Sequence, residues 1–156
     1  MNHQELMDAA HEKWNDNLSY NQFIDMLPKA EKCAVLLGHM NYQIGNGGWY
    51  QWCDNGYCTR IKALVNALTE MNTDTSSQIL KMLDVVKPTL KYDVLDGSKE
   101  SRGCCTNYFK EKKRKYWDDD DDDDDEHPNF ESIDTQYYEL EDKFMAECEI
   151  FLTSLQ

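Results

Sequence analysis

The sequence lacks the short motifs that mark common classes of enzyme. It has no Gly-x-Ser-x-Gly, no phosphate-binding loop and no dinucleotide fingerprint. Its four histidines, His3, His11, His39 and His127, do not follow the His-Glu-x-x-His pattern of a zinc peptidase. His39 and Cys53 have no spacing that indicates a base and a nucleophile, and we expect both to be packed core residues. We therefore expect no enzyme, no cofactor and no metal site.

Long apolar runs and basic residues are also scarce. No apolar run approaches transmembrane length, and the polar N-terminus lacks the apolar core of a signal peptide, so we expect a cytoplasmic protein. Lysine and arginine total 16 against 30 aspartates and glutamates, which gives a net charge of -14 and a pI near 4.5. This balance disfavours direct binding to nucleic acid or an anionic membrane and favours cationic partners.

Cysteine is present without a recognisable framework. The six residues are Cys33, Cys53, Cys58, Cys104, Cys105 and Cys148. We expect reduced thiols, as is usual in the cytosol. Cys33 and Cys148 fall on apolar stripes, and Cys53 and Cys58 lack a zinc-site spacing. The vicinal pair Cys104 and Cys105 could be redox-active or bind a soft metal, but a structural or incidental role is the favoured interpretation.

Helical periodicity is the main pattern that is present, and there is no strand alternation or internal repeat. Apolar stripes predict helices around Leu6–Trp14, Phe23–Leu27, Cys33–Ile44, Ile61–Leu68, Ile79–Leu90 and Tyr137–Leu155. Ser19 or Asn21 can cap the second helix, residues 74–77 can cap the fifth, and Pro28 and Pro88 limit helix ends. We predict an all-α fold: a single compact multi-helix domain, residues 1–156, with a charged insertion before the last helix.

The predicted insertion covers residues 94–130, where the periodicity fades, and we expect it to be flexible. Residues 108–117 suit a short helix that carries the basic run Lys110–Lys115. The basic run could fold back on the acidic run that follows and mask it. Exposed ion pairs contribute only about 0.2–1 kcal/mol each, so a partner could displace such a closure.

The acidic run is Asp118, Asp119, Asp120, Asp121, Asp122, Asp123, Asp124, Asp125 and Glu126. Such a run must be solvated or paired with cations, because buried charges are costly. Extended chain advances about 3.3 Å per residue and a DNA strand carries one phosphate per about 3.4 Å, so the two linear charge densities are similar. The run has no internal glycine for a calcium loop, so we expect only weak counterion binding. It is either a contact for a basic partner or a solubilising loop.

The last helix offers a second acidic surface. Opposite its apolar stripe lie Glu139, Asp142 and Glu149. Together with the acidic run, these three residues are our candidate contacts for a partner.

Residues 43–55 contain the most distinctive motif, with Asn46, Gly47, Gly48, Trp49, Gln51 and Trp52 at its centre. Because the flanks are helical in period, we predict a break between two helices at the glycines. Trp49 and Trp52 should face the core together, and Gln51 could satisfy backbone groups left open at the break. Asn55-Gly56 predicts the end of the second of these helices.

This motif resembles the signature of the DNA mimic protein family of the "nineteen" type. Gln43 and Ile44 also fit it, whereas Gly45 replaces the usual Asn. The ending is similar too, with Ile133-Asp134, Tyr137-Tyr138 and Leu140-Glu141-Asp142 before Phe144. The resemblance covers residues 30–92 and 129–156 but not the Cys104-Cys105 segment, the basic run or the acidic run. It implies a compact all-α fold whose surface carboxylates occupy the DNA site of a repressor or histone-like protein.

Three functions remain open on sequence alone. The chain could be a DNA mimic that binds a basic DNA-binding protein, an immunity or anti-defence protein that neutralises a toxin or nuclease, or a helical domain with a merely solubilising loop. The first is favoured, and the Asn-Gly-Gly motif is expected to serve the fold in all three.

Overall fold

The computed structural model describes residues 1–100, 105 and 128–156, and this part of the chain is predominantly helical. Its α-helices are α1 (His3–His11), α2 (Tyr20–Met26), α3 (Lys29–Asp54), α4 (Ile61–Met71), α5 (Asp74–Val86), α6 (Tyr92–Leu95) and α7 (Glu131–Ser154). Short 3₁₀ helices occupy Tyr57–Arg60 and Lys87–Thr89. Within the described residues there is no strand and only an isolated bridge at Leu90, which confirms the all-α prediction.

Most helix boundaries follow from local sequence signals. The side chain of Ser19 accepts the Gln22 N–H and completes a capping box at the start of α2. Helix α3 begins directly after Pro28 and ends before Asn55. Gly56 then takes a positive φ of 78°.

Two boundary predictions are wrong. The cap of α5 is Thr73, one residue before the predicted range, and its hydroxyl accepts the Ser76 N–H. The expected cap residues Asp74–Ser77 lie inside the helix because Thr73 already has the extended backbone of a cap. Trp14 lies beyond α1 and is exposed, because that helix ends at His11.

The core surrounds α3, which packs against α1, α2, α4 and α7. Buried side chains include the predicted stripe Cys33, Leu37, Met40 and Ile44 of α3 and Tyr137, Leu140, Phe144, Cys148 and Phe151 of α7. Helix α7 also contacts α5 and α1, so it packs against helices from the beginning and the middle of the sequence.

The predicted insertion contains core residues at both of its ends and at position 105. Val94, Cys105 and Phe130 are buried, and the short helix α6 was not predicted from the sequence. The predicted helix at residues 108–117, the basic run and the acidic run lie outside the described residues. The 94–130 insertion and its flexibility therefore stay predictions.

One cysteine prediction is wrong. Cys58 and Cys105 form a disulfide, with Cα atoms 6.8 Å apart, whereas we expected reduced thiols throughout. Sequence spacing could not reveal this pair because 47 residues separate the two. Helix α6 contacts the 3₁₀ helix that contains Cys58, and the Cys105 carbonyl accepts the N–H of Lys91, the residue before α6, at 2.8 Å. Cys33, Cys53 and Cys148 are buried.

Candidate partner-binding surface

Helix α3 breaks at the glycine pair, as predicted. Gly47 has φ -158° and ψ 18°, and Gly48 has φ 76° and ψ -176°, so the helical path is interrupted between two halves. Beyond the break Trp49 and Trp52 are buried edge-to-face, with ring centroids 5.5 Å apart. Trp49 also meets Tyr137 of α7 edge-to-face at 6.1 Å. The motif thus anchors the second half of α3 in the core.

Helix α7 supplies hydrogen bonds on both sides of this break. The Trp49 N–H, at the start of the second half, donates to Asp134 Oδ1 at 2.7 Å. The Tyr138 hydroxyl donates to the Ile44 carbonyl at 2.8 Å. The two stretches that carried the family resemblance, the Asn-Gly-Gly motif and the Ile-Asp-x-x-Tyr-Tyr ending, therefore form one structural unit.

Gly48 allows this carboxylate to approach. A Cβ at Gly48 would lie 2.7 Å from Asp134 Cγ, and the positive φ already disfavours any other residue. Burial raises the pKa of Asp134, the neighbouring Glu131 adds to the increase, and the hydrogen bond from Trp49 only partly offsets it. Asp134 therefore caps a helix half from a partly desolvated position.

The role predicted for Gln51 is wrong. Its amide nitrogen donates to Gln43 Oε1 at 3.0 Å, and Asn55 donates to the same oxygen at 2.7 Å. Gln51 thus joins a side-chain network across the break, and Asp134 and Tyr138 satisfy the backbone instead. Nothing local in the sequence could reveal this, since Asp134 lies 85 residues from Trp49.

Two more carboxylates of α7 serve the beginnings of other helices. Both oxygens of Glu149 accept the His3 N–H at the start of α1, at 3.0 and 3.2 Å. Glu147 accepts the Thr75 hydroxyl in the first turn of α5. Burial opposes ionisation of Glu147, but the threonine hydrogen bonds outweigh it and the net effect is a lowered pKa. Anionic groups at helix beginnings also interact favourably with the helix dipole.

The other four acids of α7 make none of these capping hydrogen bonds. Glu131, Glu139 and Asp142 are exposed, and Glu141 is half-buried. The helix carries seven acidic residues and one lysine, Lys143, so its net charge is -6. Hence α7 combines an inner set of capping carboxylates with an outer set that faces solvent.

The predicted partner-binding residues of α7 differ in how exposed they are. Glu139 and Asp142 lie three residues apart on the exposed side of α7. Glu149 is half-buried, and its carboxylate already accepts a hydrogen bond from α1. It is therefore less accessible to a partner than Glu139 and Asp142. The run from Asp118 to Glu126 lies outside the described residues.

A protein-family model described as "DMP19-like protein" matches residues 25–154. The chain belongs to the DMP19-like protein family. This is the family of DNA mimic protein 19, so the predicted resemblance is confirmed. The match spans the break in α3 and all of α7, the two parts that the Asp134 and Tyr138 hydrogen bonds join. Searches of curated proteins and of solved structures find no match to the chain.

DMP19-like membership implies a DNA-binding protein as partner and suggests a protein without catalytic function. In the described residues no group of three or more His, Cys, Asp or Glu side chains could hold a metal ion. None of the described helices is both long and apolar enough to span a membrane. Cys53 is buried as predicted, but His39 is only half-buried and contacts His11 and Tyr20, so its core assignment is wrong.

Proposed function

We propose that this DMP19-like protein is a DNA mimic that occupies the DNA-binding surface of a basic protein, such as a repressor or a histone-like protein. The contacts are the outward carboxylates of α7, led by Glu139 and Asp142, together with the run from Asp118 to Glu126. We place the interaction in the cytoplasm, where such partners meet DNA. Family membership and the net charge of -14 support the proposal.

The main support for this proposal is that α7 has two kinds of carboxylate: some bond to other helices, and others are exposed. Asp134, Glu147 and Glu149 are bonded to other helices, so they fix the orientation of α7 on the scaffold. The exposed acids are therefore held on a rigid support and lose little freedom when a partner binds. From Glu131 to Asp142 the helix advances about 16 Å, at 1.5 Å per residue. A DNA strand presents about five phosphates over that length.

The contribution of Glu149 is the smallest of the three predicted on α7. Its carboxylate already accepts the His3 N–H through both oxygens. A partner cation would have to compete with that interaction, whereas Glu139 and Asp142 are exposed. We therefore give Glu149 a secondary, orienting role in partner binding.

Affinity capture from lysate at low and moderate salt tests the proposal. Recovery of basic DNA-binding proteins that are lost near 0.3–0.5 M salt, where the Debye length is roughly 4–6 Å, would support mimicry. One salt-resistant nuclease or toxin would favour the immunity function instead. Recovery of no partner would leave the acidic surface with a solubilising role.

Matched charge variants locate the contact. We expect Glu139→Gln/Asp142→Asn to weaken binding of the captured protein at least tenfold, because two exposed charges that face the partner are lost. Asp16→Asn/Asp84→Asn removes two exposed acids from elsewhere on the fold and should change affinity less than twofold. Replacing Asp118–Asp125 by Ser tests the acidic run separately. Equal effects of both double variants would contradict a contact on α7.

A further inference from the structure

A cleft of about 510 Å³ lies between α1, α2 and α3. Aromatic and histidine side chains line it, among them Trp14, Phe23 and Tyr57. The Nε2 atoms of His11 and His39 face each other there, 3.3 Å apart. His11 is exposed and His39 is half-buried, so solvent reaches the pair.

We propose that His11 and His39 form a binding site for a divalent transition-metal ion of the zinc class. Two imidazole nitrogens bound to one tetrahedral ion at 2.0–2.1 Å lie about 3.3–3.4 Å apart. The observed Nε2–Nε2 distance of 3.3 Å matches that spacing. The pair is therefore set at the separation that a shared ion requires.

The surroundings of His39 suit a metal ligand. Its Nδ1 lies 3.3 Å from the Tyr20 hydroxyl oxygen. When Nε2 binds a metal, Nδ1 carries the proton and donates it to a neighbouring oxygen, which fixes the ring orientation. Tyr20 is itself buried, so this second group is held in place by the core.

The described lysine that lies closest to His11 in sequence does not oppose a cation. The nearest lysine in sequence, Lys13, has its Nζ 2.5 Å from a Glu31 carboxylate oxygen, which neutralises it. The described residues supply two ligands, fewer than a closed structural site has, so the remaining positions would be taken by other donors such as water. Among the described residues the site is thus an open one.

The geometry also depends on folding. His11 ends α1, and His39 lies in the first half of α3, 28 residues later. The two helices pack together, so the pair exists only when α1 is docked. A bound ion would therefore bridge α1 to the central helix and stabilise the docked state.

Titration of the full chain with zinc chloride, followed by NMR of the histidine ring resonances, tests the site. The Asp118–Asp125→Ser variant serves as background, because the acidic run would bind zinc nonspecifically. We expect the rings of His11 and His39 to shift together and saturate at one zinc concentration. His3 is an internal control whose ring should not respond, since its Nε2 is bonded to the Ala34 carbonyl at 2.8 Å.

In the same background, His11→Asn and His39→Asn should each weaken zinc binding at that site at least tenfold. Zinc should raise the unfolding temperature of the Asp118–Asp125→Ser chain that keeps both histidines, but not that of either histidine variant. Circular dichroism without zinc checks that both variants are folded. Ring resonances that do not move with zinc, or histidine variants that keep the affinity and thermal shift of the chain with both histidines, would overturn the site.

Discussion

At the scale of single residues, the fold depends on a close approach between one glycine and one carboxylate. Gly48 has a positive φ and lies against Asp134, which accepts the Trp49 N–H. The sequence predicts the glycine break, because two adjacent glycines interrupt an otherwise helical period. It cannot predict the carboxylate, which comes from a helix 85 residues away.

Gly48→Ala should therefore destabilise the fold strongly. The strained φ/ψ alone costs about 1–3 kcal/mol, and the new Cβ would also displace Asp134 from its bond. Gly45→Ala is the matched control, because its Cβ would meet only Glu141 Oε1, at an ordinary 3.9 Å, within a helix. There we expect a gain of about 0.5–1 kcal/mol. Urea unfolding measures both, and similar effects at the two positions would refute the role given to Gly48.

Asp134 gives a residue-scale prediction about pH. A raised carboxyl pKa means that the native state binds more protons than the unfolded chain just above the ordinary value of 3.8. The stability that Asp134 confers should fall as pH rises through that window. Asp134→Asn keeps an acceptor for the Trp49 N–H but cannot ionise. The unfolding free energy of the native chain minus that of Asp134→Asn should thus decrease as pH rises above 3.8, the ordinary value for the carboxyl group.

Asp134→Ala is the companion variant, because it removes the acceptor altogether. Relative to Asp134→Asn, it should lose about 1 kcal/mol at every pH, as the loss of a helix cap does, because neither variant ionises at this position. A difference between the native chain and Asp134→Asn that grows with pH would contradict the proposed burial of this carboxylate.

At the scale of elements, local signals predict helices well and their mutual contacts poorly. The Ser19–Gln22 capping box and the stops at Pro28 and Gly56 are visible in the sequence. The contact of Glu149 with the start of α1 is not, because 146 residues separate the partners. A glutamate on an amphipathic helix is chemically the same whether it caps a neighbour or faces solvent. This is why the sequence assigned Glu149 to the outer surface.

The Cys58–Cys105 disulfide is a second long-range element contact. Because 47 residues separate the cysteines, the chain-entropy model gives it about 4 kcal/mol of stabilisation. Cys58→Ser should lower the unfolding free energy by about 2–4 kcal/mol, and a reductant should bring the native chain close to that level. Urea unfolding with and without dithiothreitol measures this.

Peptide mapping without reduction identifies the linked pair. Iodoacetamide should leave the buried thiols unmodified in the native state, and burial raises the pKa of Cys33 to about 11. Trapping thiols inside cells before lysis reports whether the pair is oxidised there. A map that joins Cys105 to any other cysteine would contradict the structure.

At the scale of the whole molecule, composition predicts the net charge, and the fold decides where the charge acts. The described residues carry 20 acids and 10 lysines and arginines, a net charge of -10, of which α7 alone contributes -6. The polar face of the helical pattern predicts that α7 is acidic. Only the three-dimensional contacts separate the carboxylates that orient the helix from those that remain for a partner.

The central claim is that these remaining carboxylates take the place of DNA phosphates. The most direct measurement is competition for the captured DNA-binding protein between fluorescent duplex DNA and this protein, followed by anisotropy at several salt concentrations. We expect stoichiometric displacement of the DNA, an inhibition constant that rises steeply with salt, and at least tenfold weaker displacement by Glu139→Gln/Asp142→Asn. A ternary complex in which the DNA stays bound, or full displacement by the double variant, would contradict the claim.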